Sequence, residues 1–226
     1  MKWWLNIGLL LALAGGVAAD EQTERIFARA RALNPGLQDF TAQIDINMQA
    51  DMGPIHYKPK LQGTYYFKQA DKHKLDLNGG PKELRKYPSI FGFNYPQLER
   101  FNSSLVGEAV LNGRPVFHCH LEPKWNGDNI KTIDYLVDKE NYTVAQAVTG
   151  YRNEGVLTLD FEYTRVGNFT VFESLKASAD FPSMAASANG EAKYSHYAFN
   201  QNLPNSLFGP AGKKVSLSVD QLQRRL

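Results

Sequence analysis

Residues 156–208 carry the pattern that most narrows what this chain can become. Leu157, Leu159, Phe161 and Tyr163 alternate with Thr158, Asp160, Glu162 and Thr164. Successive side chains of a strand point to opposite faces, so this run has one apolar and one polar face. Gly167-Asn168 follows, a two-residue hairpin signal. The return run, 169–179, places Phe169, Val171 and Leu175 on one face with Glu173 among them. A small-residue loop then precedes a third strand, 193–199, and the stretch closes on Asn200-Gln-Asn-Leu-Pro-Asn-Ser-Leu-Phe208.

The same period recurs upstream. In 37–50, Phe40, Ala42, Ile44, Ile46 and Met48 alternate with polar residues more cleanly than anywhere else in the chain. Asp51-Met-Gly-Pro54 turns, a strand holds Leu61, Gly63, Tyr65 and Phe67, and 73–77 returns with Leu75 and Leu77 on one face. Asn112-Gly113 joins 106–111 to 116–121, and 130–138 and 142–149 read as further strands. A short apolar run, 215–219, follows the last turn. Ahead of all these, Ile26, Ala30 and Leu33 recur at helical spacing over 21–33, with Phe27 beside them, until Asn34-Pro-Gly36 stops the helix. So short a helix is marginal alone and must lay its apolar stripe on something.

One helix and ten or eleven strands joined by tight turns predict a mainly β (α+β) fold. Neighbouring strands pair antiparallel, and a sheet of that size curls into an incomplete barrel whose open side is covered. Residues 81–105 supply a cover. They hold three prolines, have no clean period, and crowd Tyr87, Ile90, Phe91, Phe93 and Tyr95 together. The segment reads as short helical turns forming a lid over the mouth of the sheet, with strands resuming at Leu105. An ordinary packed connection would have the same composition.

The chain has 226 residues, enough for one domain with a sizeable core, and its 13 Phe and 11 Tyr lean towards β structure. A net charge of +2 without an Arg/Lys cluster argues against nucleic acid. Residues 1–19 read as a secretory signal. Lys2 precedes a short apolar run, 3–13, and Val17 and Ala19 take the small-residue positions before cleavage near Ala19-Asp20. The apolar run is shorter than the roughly twenty residues that span a bilayer. Asp20, not Cys, stands directly after the cleavage site, so there is no lipobox, and residues 20–226 are expected to form a single soluble domain.

Chemistry-bearing motifs are sparse. Cys119 is the only cysteine, so no internal disulfide forms, and its alternating neighbours point to a buried, inert thiol. His118 and His120 share one strand face, half of a metal site, but no second pair accompanies them and no metal is expected. The sequence shows no nucleophile elbow, no Gly-rich phosphate loop and no paired His on a helix. No catalytic residue is assigned, the chain is not expected to be an enzyme, and no cofactor is expected.

What remains is apolar lining. With the Ile44 face inward, Phe40, Ile44, Ile46, Met48, Tyr65, Phe67, Leu75, Leu77, Leu157, Leu159, Phe161 and Tyr163 line the concave side of the sheet. A solid core would account for any one of them equally well. A cavity would bind by shape and apolar area, about 0.8 kcal/mol per buried methylene, with no reactive residue.

Several motifs recur in one order: the N-terminal helix, Phe40-x-Ala-x-Ile44, Gly63-x-Tyr-x-Phe-Lys68, Asn112-Gly-Arg-Pro-Val-Phe117, a strand ending Val137-Asp-Lys139, and the Leu-Pro-Asn-Ser-Leu-Phe208 close. In this the chain resembles the LolA/LolB-like superfamily of periplasmic lipoprotein carriers and acceptors. The resemblance implies a periplasmic, monomeric protein with a hydrophobic cavity under a helical lid. Its partners would be acyl chains of lipoproteins or other lipids, an inner-membrane donor and an outer-membrane acceptor. Lys68 matches the carrier's lysine, but Gln69 and Ala70 stand where the carrier has the Arg and Pro, and that arginine helps hold the lid closed. Residues 81–101 also depart from the carrier's pattern. The absence of a lipobox favours a soluble shuttle over an anchored acceptor. The alternative is a regulatory module of the same fold that detects lipids or mislocalised lipoproteins. A lipid hydrolase would need a nucleophile and a base that the sequence does not offer.

Overall fold

The structure, a computed structural model, describes residues 15–80, 84–85, 88–92, 95–125, 127 and 129–209, with backbone alone over 15–20. Residues 1–14, Tyr87, Phe93 and the 215–219 run lie outside the described residues. The helix α1 spans Gly15–Arg31, two residues short of the predicted end. Among the described residues no helix is long and apolar enough to cross a membrane.

Eleven strands follow: β1 (Asp39–Met52), β2 (Ile55–Tyr57), β3 (Lys60–Lys68), β4 (Lys72–Leu77), β5 (Phe101–Leu111), β6 (Arg114–Pro123), β7 (Ile130–Asp138), β8 (Val144–Tyr151), β9 (Val156–Val166), β10 (Phe169–Phe181) and β11 (Ala186–Phe199). They form one antiparallel sheet in the order β4-β3-β1-β11-β10-β9-β8-β7-β6-β5, with β2 hanging on β1. The order does not close on itself, so the sheet is an incomplete barrel with β4 and β5 as its edges. At the β5–β6 turn Asn112 and Gly113 both take positive φ, +50° and +80°, as a twist-matched hairpin turn requires.

Three details differ from the alternation in the sequence. β5 starts at Phe101, four residues before the predicted Leu105, because Phe101 and Ser103 already pair with Pro123 and Leu121. β11 starts at Ala186, so the predicted small-residue loop is mostly strand, held between β1 and β10. Glu173 is the extra residue of a bulge in β10, which pairs Phe172 with Tyr163 and Leu175 with Phe161. Phe172 therefore packs against Tyr163, ring centres 5.1 Å apart and planes tilted by 38°.

The core fills the concave side. Ile44, Tyr65, Leu75, Phe161, Leu175 and Tyr194 are buried there. The helix α1 packs against β5, and its buried Phe27 meets Tyr135 edge-on at 5.2 Å. The Leu-Pro close is tied down by buried Asp39, whose carboxylate accepts from Gln201 N at 2.7 Å and Leu203 N at 3.0 Å. The register places the 53–54, 124–129, 152–155 and 182–185 turns at one end of the sheet, since Met52 faces Ala186, Asp180 faces Val156 and Tyr151 faces Ile130.

Candidate functional site

Towards the 53–54 end, the inner face of the sheet turns from large to small side chains. Met48 pairs with Gly190, Gly190 with Ala177, and Ala177 with Leu159. One step further out, Ala50, Ala188, Ala179 and Leu157 form the next row. Glycine and alanine at the middle of both rows leave a trough between the taller Met48 and Leu157. Leu84, Ile90 and Phe91 partly cover it, and the space beneath them is a half-open apolar pocket of about 190 Å³.

The roof is the 3-10 turn Pro88–Phe91 with the short helical piece before it. Tyr194 from β11 donates its hydroxyl to the Phe91 carbonyl. Arg85 donates to the carbonyls of Leu77 at 2.9 Å and Gly79 at 2.7 Å. Gly92 lies directly on Tyr65, where a Cβ would stand 1.9 Å from the phenol oxygen.

A second, smaller cavity of about 100 Å³ lies towards the other end, lined by Leu33, Leu37, Phe40, Tyr65, Phe67, His73, Tyr95 and Tyr163, among others. Its hydroxyls are engaged: Tyr65 lies 2.5 Å from His73 Nδ1, and Tyr95 donates to the Ala30 carbonyl at 2.7 Å. Tyr194, with its ring 6.0 Å from that of Tyr65 and its hydroxyl on Phe91, bridges residues that line the two cavities.

No protein-family model matches the sequence, and no curated protein sequence matches it. Solved structures do match the fold. An outer membrane lipoprotein-sorting protein domain from Vibrio parahaemolyticus superimposes with a TM-score of 0.60 at 13% identity, over 86% of this chain and 97% of that one. A LolA superfamily protein from Nitrosomonas europaea gives 0.59 at 9% identity, over 82% and 96%. This chain has a LolA-like fold. A DUF1329 family protein from Desulfovibrio piger is similar in the same way, with a TM-score of 0.55 at 10% identity over 84% and 97%. At such identities the likeness concerns the fold, and the roles of individual residues rest on this chain's own geometry.

Within the LolA-like sheet, the residues singled out by alternation separate into three groups. Ile46, Met48 and Leu157 line the larger cavity, together with Ile90 and Phe91 of the roof. Phe40, Tyr65, Phe67 and Tyr163 line the smaller one, with Tyr95. Ile44, Leu75, Leu77, Leu159 and Phe161 line neither and belong to the packed core. Alternation alone missed Leu84, Leu175, Ala177, Ala179, Ala188, Gly190 and Ala192, all on the wall of the larger cavity. For the small residues the signal was present as period-two runs at 177–179 and at 186–192, while Leu175 shares the apolar face of Phe169 and Val171, and Leu84 lies in the segment without a period. Lys68 reaches the Leu203 carbonyl, so it fastens the C-terminal close. Tyr87 and Phe93, expected in the lid, lie outside the described residues.

On the outer face, His118 Nε2 and His120 Nδ1 both meet Asp134 Oδ1, at 2.7 and 2.8 Å. Partial burial works against the His120 imidazolium, but its bonds to Asp134 and Glu122 outweigh this and raise its pKa. Burial likewise opposes the Asp134 carboxylate, yet the bonds from His120 and His118 lower its pKa. Among the described residues no group of three His, Cys, Asp or Glu is placed to hold a metal ion. Cys119 faces inward, fully buried, and burial pushes its thiol up to about 12 against a bond from Thr23. A thiol so far from ionising is a poor nucleophile.

Proposed function

We propose that this chain is a carrier that takes acyl chains of lipoproteins or other lipids into the trough under residues 84–92. In this reading it is exported, loses residues 1–19, works in the periplasm and passes its cargo towards the outer membrane. One observation carries the reading: an apolar trough floored by Ala177, Ala179, Ala188 and Gly190 and roofed by Leu84, Ile90 and Phe91. Protein interiors are close-packed, and small side chains in two adjacent rows under an apolar roof leave room that a core would ordinarily fill. An apolar cavity of about 150 Å³ stays dry and accepts benzene. The covered part of the trough, at about 190 Å³, therefore suits a handful of methylenes. In this reading the rest of an acyl chain follows through the trough's open side or as the roof lifts.

The test is native mass spectrometry of the protein purified from periplasmic extract without detergent, paired with uptake of a fluorescent fatty acid. A co-purifying mass that releases fatty acid or phospholipid on denaturation supports the carrier. An apo mass together with no probe uptake overturns it. Ala188→Phe should fill the trough and lower uptake about tenfold, a change of about 1.4 kcal/mol, with the fold kept. Changing Ile44 or Phe161 to Asp is a weaker test, because both are buried in the core and an unpaired carboxylate there unfolds the domain.

A further inference from the structure

Among the described residues six large apolar side chains are exposed. Val106, at 61%, and Val110, at 74%, stand on the edge strand β5; the other four are Ile55 at 58%, Tyr57 at 40%, Trp125 at 61% and Val156 at 41%. All four sit in or beside the 53–54, 124–129 and 152–155 turns, at the end of the sheet towards which the trough runs. The trough's lining continues onto them. Ala50 and Met52 extend the row of Ile46 and Met48, and they pair with Tyr57 and Ile55 on β2. An apolar lane thus leads from beneath the roof to an exposed hairpin tip.

Basic residues accompany these side chains. Lys58 follows Tyr57, Lys60 opens β3, Lys124 precedes Trp125 and Arg152 lies in the turn before Val156, all exposed. Asp51, the acid beside the hairpin, is engaged by His56 Nδ1 at 2.5 Å, and exposed Glu154 and Asp180 also lie at this end. Asp128, in the same turn as Trp125, lies outside the described residues. Trp and Tyr favour the headgroup level of a bilayer, and lysines beside them meet phosphates there. We infer that this end of the molecule docks on an anionic phospholipid surface, with the apolar lane facing the headgroups. An acyl chain then passes between bilayer and trough without crossing water. The inference deepens the carrier reading and rests on it for its purpose, while its test is separate.

The measurement is flotation of the exported protein with vesicles of phosphatidylethanolamine and phosphatidylglycerol, and with vesicles of phosphatidylcholine alone. The wild type is expected to float with the anionic vesicles and less with phosphatidylcholine. Combining Ile55→Ser, Tyr57→Ser and Trp125→Ser should lower partitioning about tenfold. Uptake of the soluble fatty-acid probe should stay unchanged, since none of the three lines the cavity. Lys58→Gln with Lys124→Gln should weaken only the binding to anionic vesicles. No flotation, or flotation that the triple serine variant leaves intact, overturns the docking surface. Probe uptake that persists in that case leaves the carrier standing, whereas its loss in the wild type removes the carrier as well.

Discussion

Asp134 is held by two histidines at once, and its surroundings set a pH window. Its folded pKa lies below the ordinary 3.8, so its contribution is present above that value and fades as pH falls through the folded pKa. The folded pKa of His120 lies above the ordinary 6.5, so its contribution is complete below 6.5 and fades as pH rises through the folded value. The cluster therefore stabilises most between these limits. Its members are about 30% exposed, and pairs like this contribute less than about 1 kcal/mol. Asp134→Asn is expected to lower the urea midpoint slightly at mildly acidic pH and to flatten both limbs of the midpoint-against-pH curve. An unchanged curve would mean that the two histidines act independently of the carboxylate. At this scale the sequence was legible where one strand decides the matter: the shared face of His118 and His120 and the burial of Cys119 both follow from alternation. Asp134 was not legible, because its place between them depends on the pairing of β6 with β7.

The roof is the element on which the proposed function turns, and beside the Arg85 bonds two contacts of its 3-10 turn fix where it sits. The Tyr194 hydroxyl holds the Phe91 carbonyl, and Gly92 leaves space for Tyr65. Tyr194→Phe removes one buried hydrogen bond, worth about 0.5–1.5 kcal/mol. Stopped-flow uptake of the acyl probe should then be severalfold faster, with a small loss of stability. Gly92→Ala sets a methyl against a buried phenol that is itself hydrogen-bonded to His73. The roof must shift, at a cost of about 1–3 kcal/mol, and probe entry should again be faster. Slower entry in both variants would show that the roof guides the ligand in its closed position. The elements themselves were unevenly readable. β7 occupies the predicted 130–138, with Ile133, Tyr135 and Val137 buried on one face. β2 is three residues between Pro54 and Pro59, too short to leave a period. The first half of β11 is alanine, serine, asparagine and glycine, whose weak strand preference is overridden by partners on both sides.

Across the whole molecule, the class of fold was legible because tight turns between alternating runs leave few topologies other than a curled antiparallel sheet. The trough was not, since it depends on the pairing of β1 with β11, strands more than a hundred residues apart in the chain. Only that register sets Ala50 beside Ala188 and Ala179, and only the curl of the open sheet brings Leu84, Ile90 and Phe91 over them. The same architecture predicts how affinity depends on ligand length. In a rigid closed trough, binding of straight-chain fatty acids would strengthen by about 0.8 kcal/mol per methylene and stop near six carbons, the size of group that such a cavity admits. In the carrier reading an edge-bounded sheet has another course open to it, in which the roof rises and the space over Ala50 and Met52 is filled. Affinity measured over a series of chain lengths is therefore expected to climb well beyond six carbons, with shallower increments once the roof begins to move. A plateau at six would show that the trough holds only the tip of a chain, and the carrier would then grip its cargo chiefly outside the cavity.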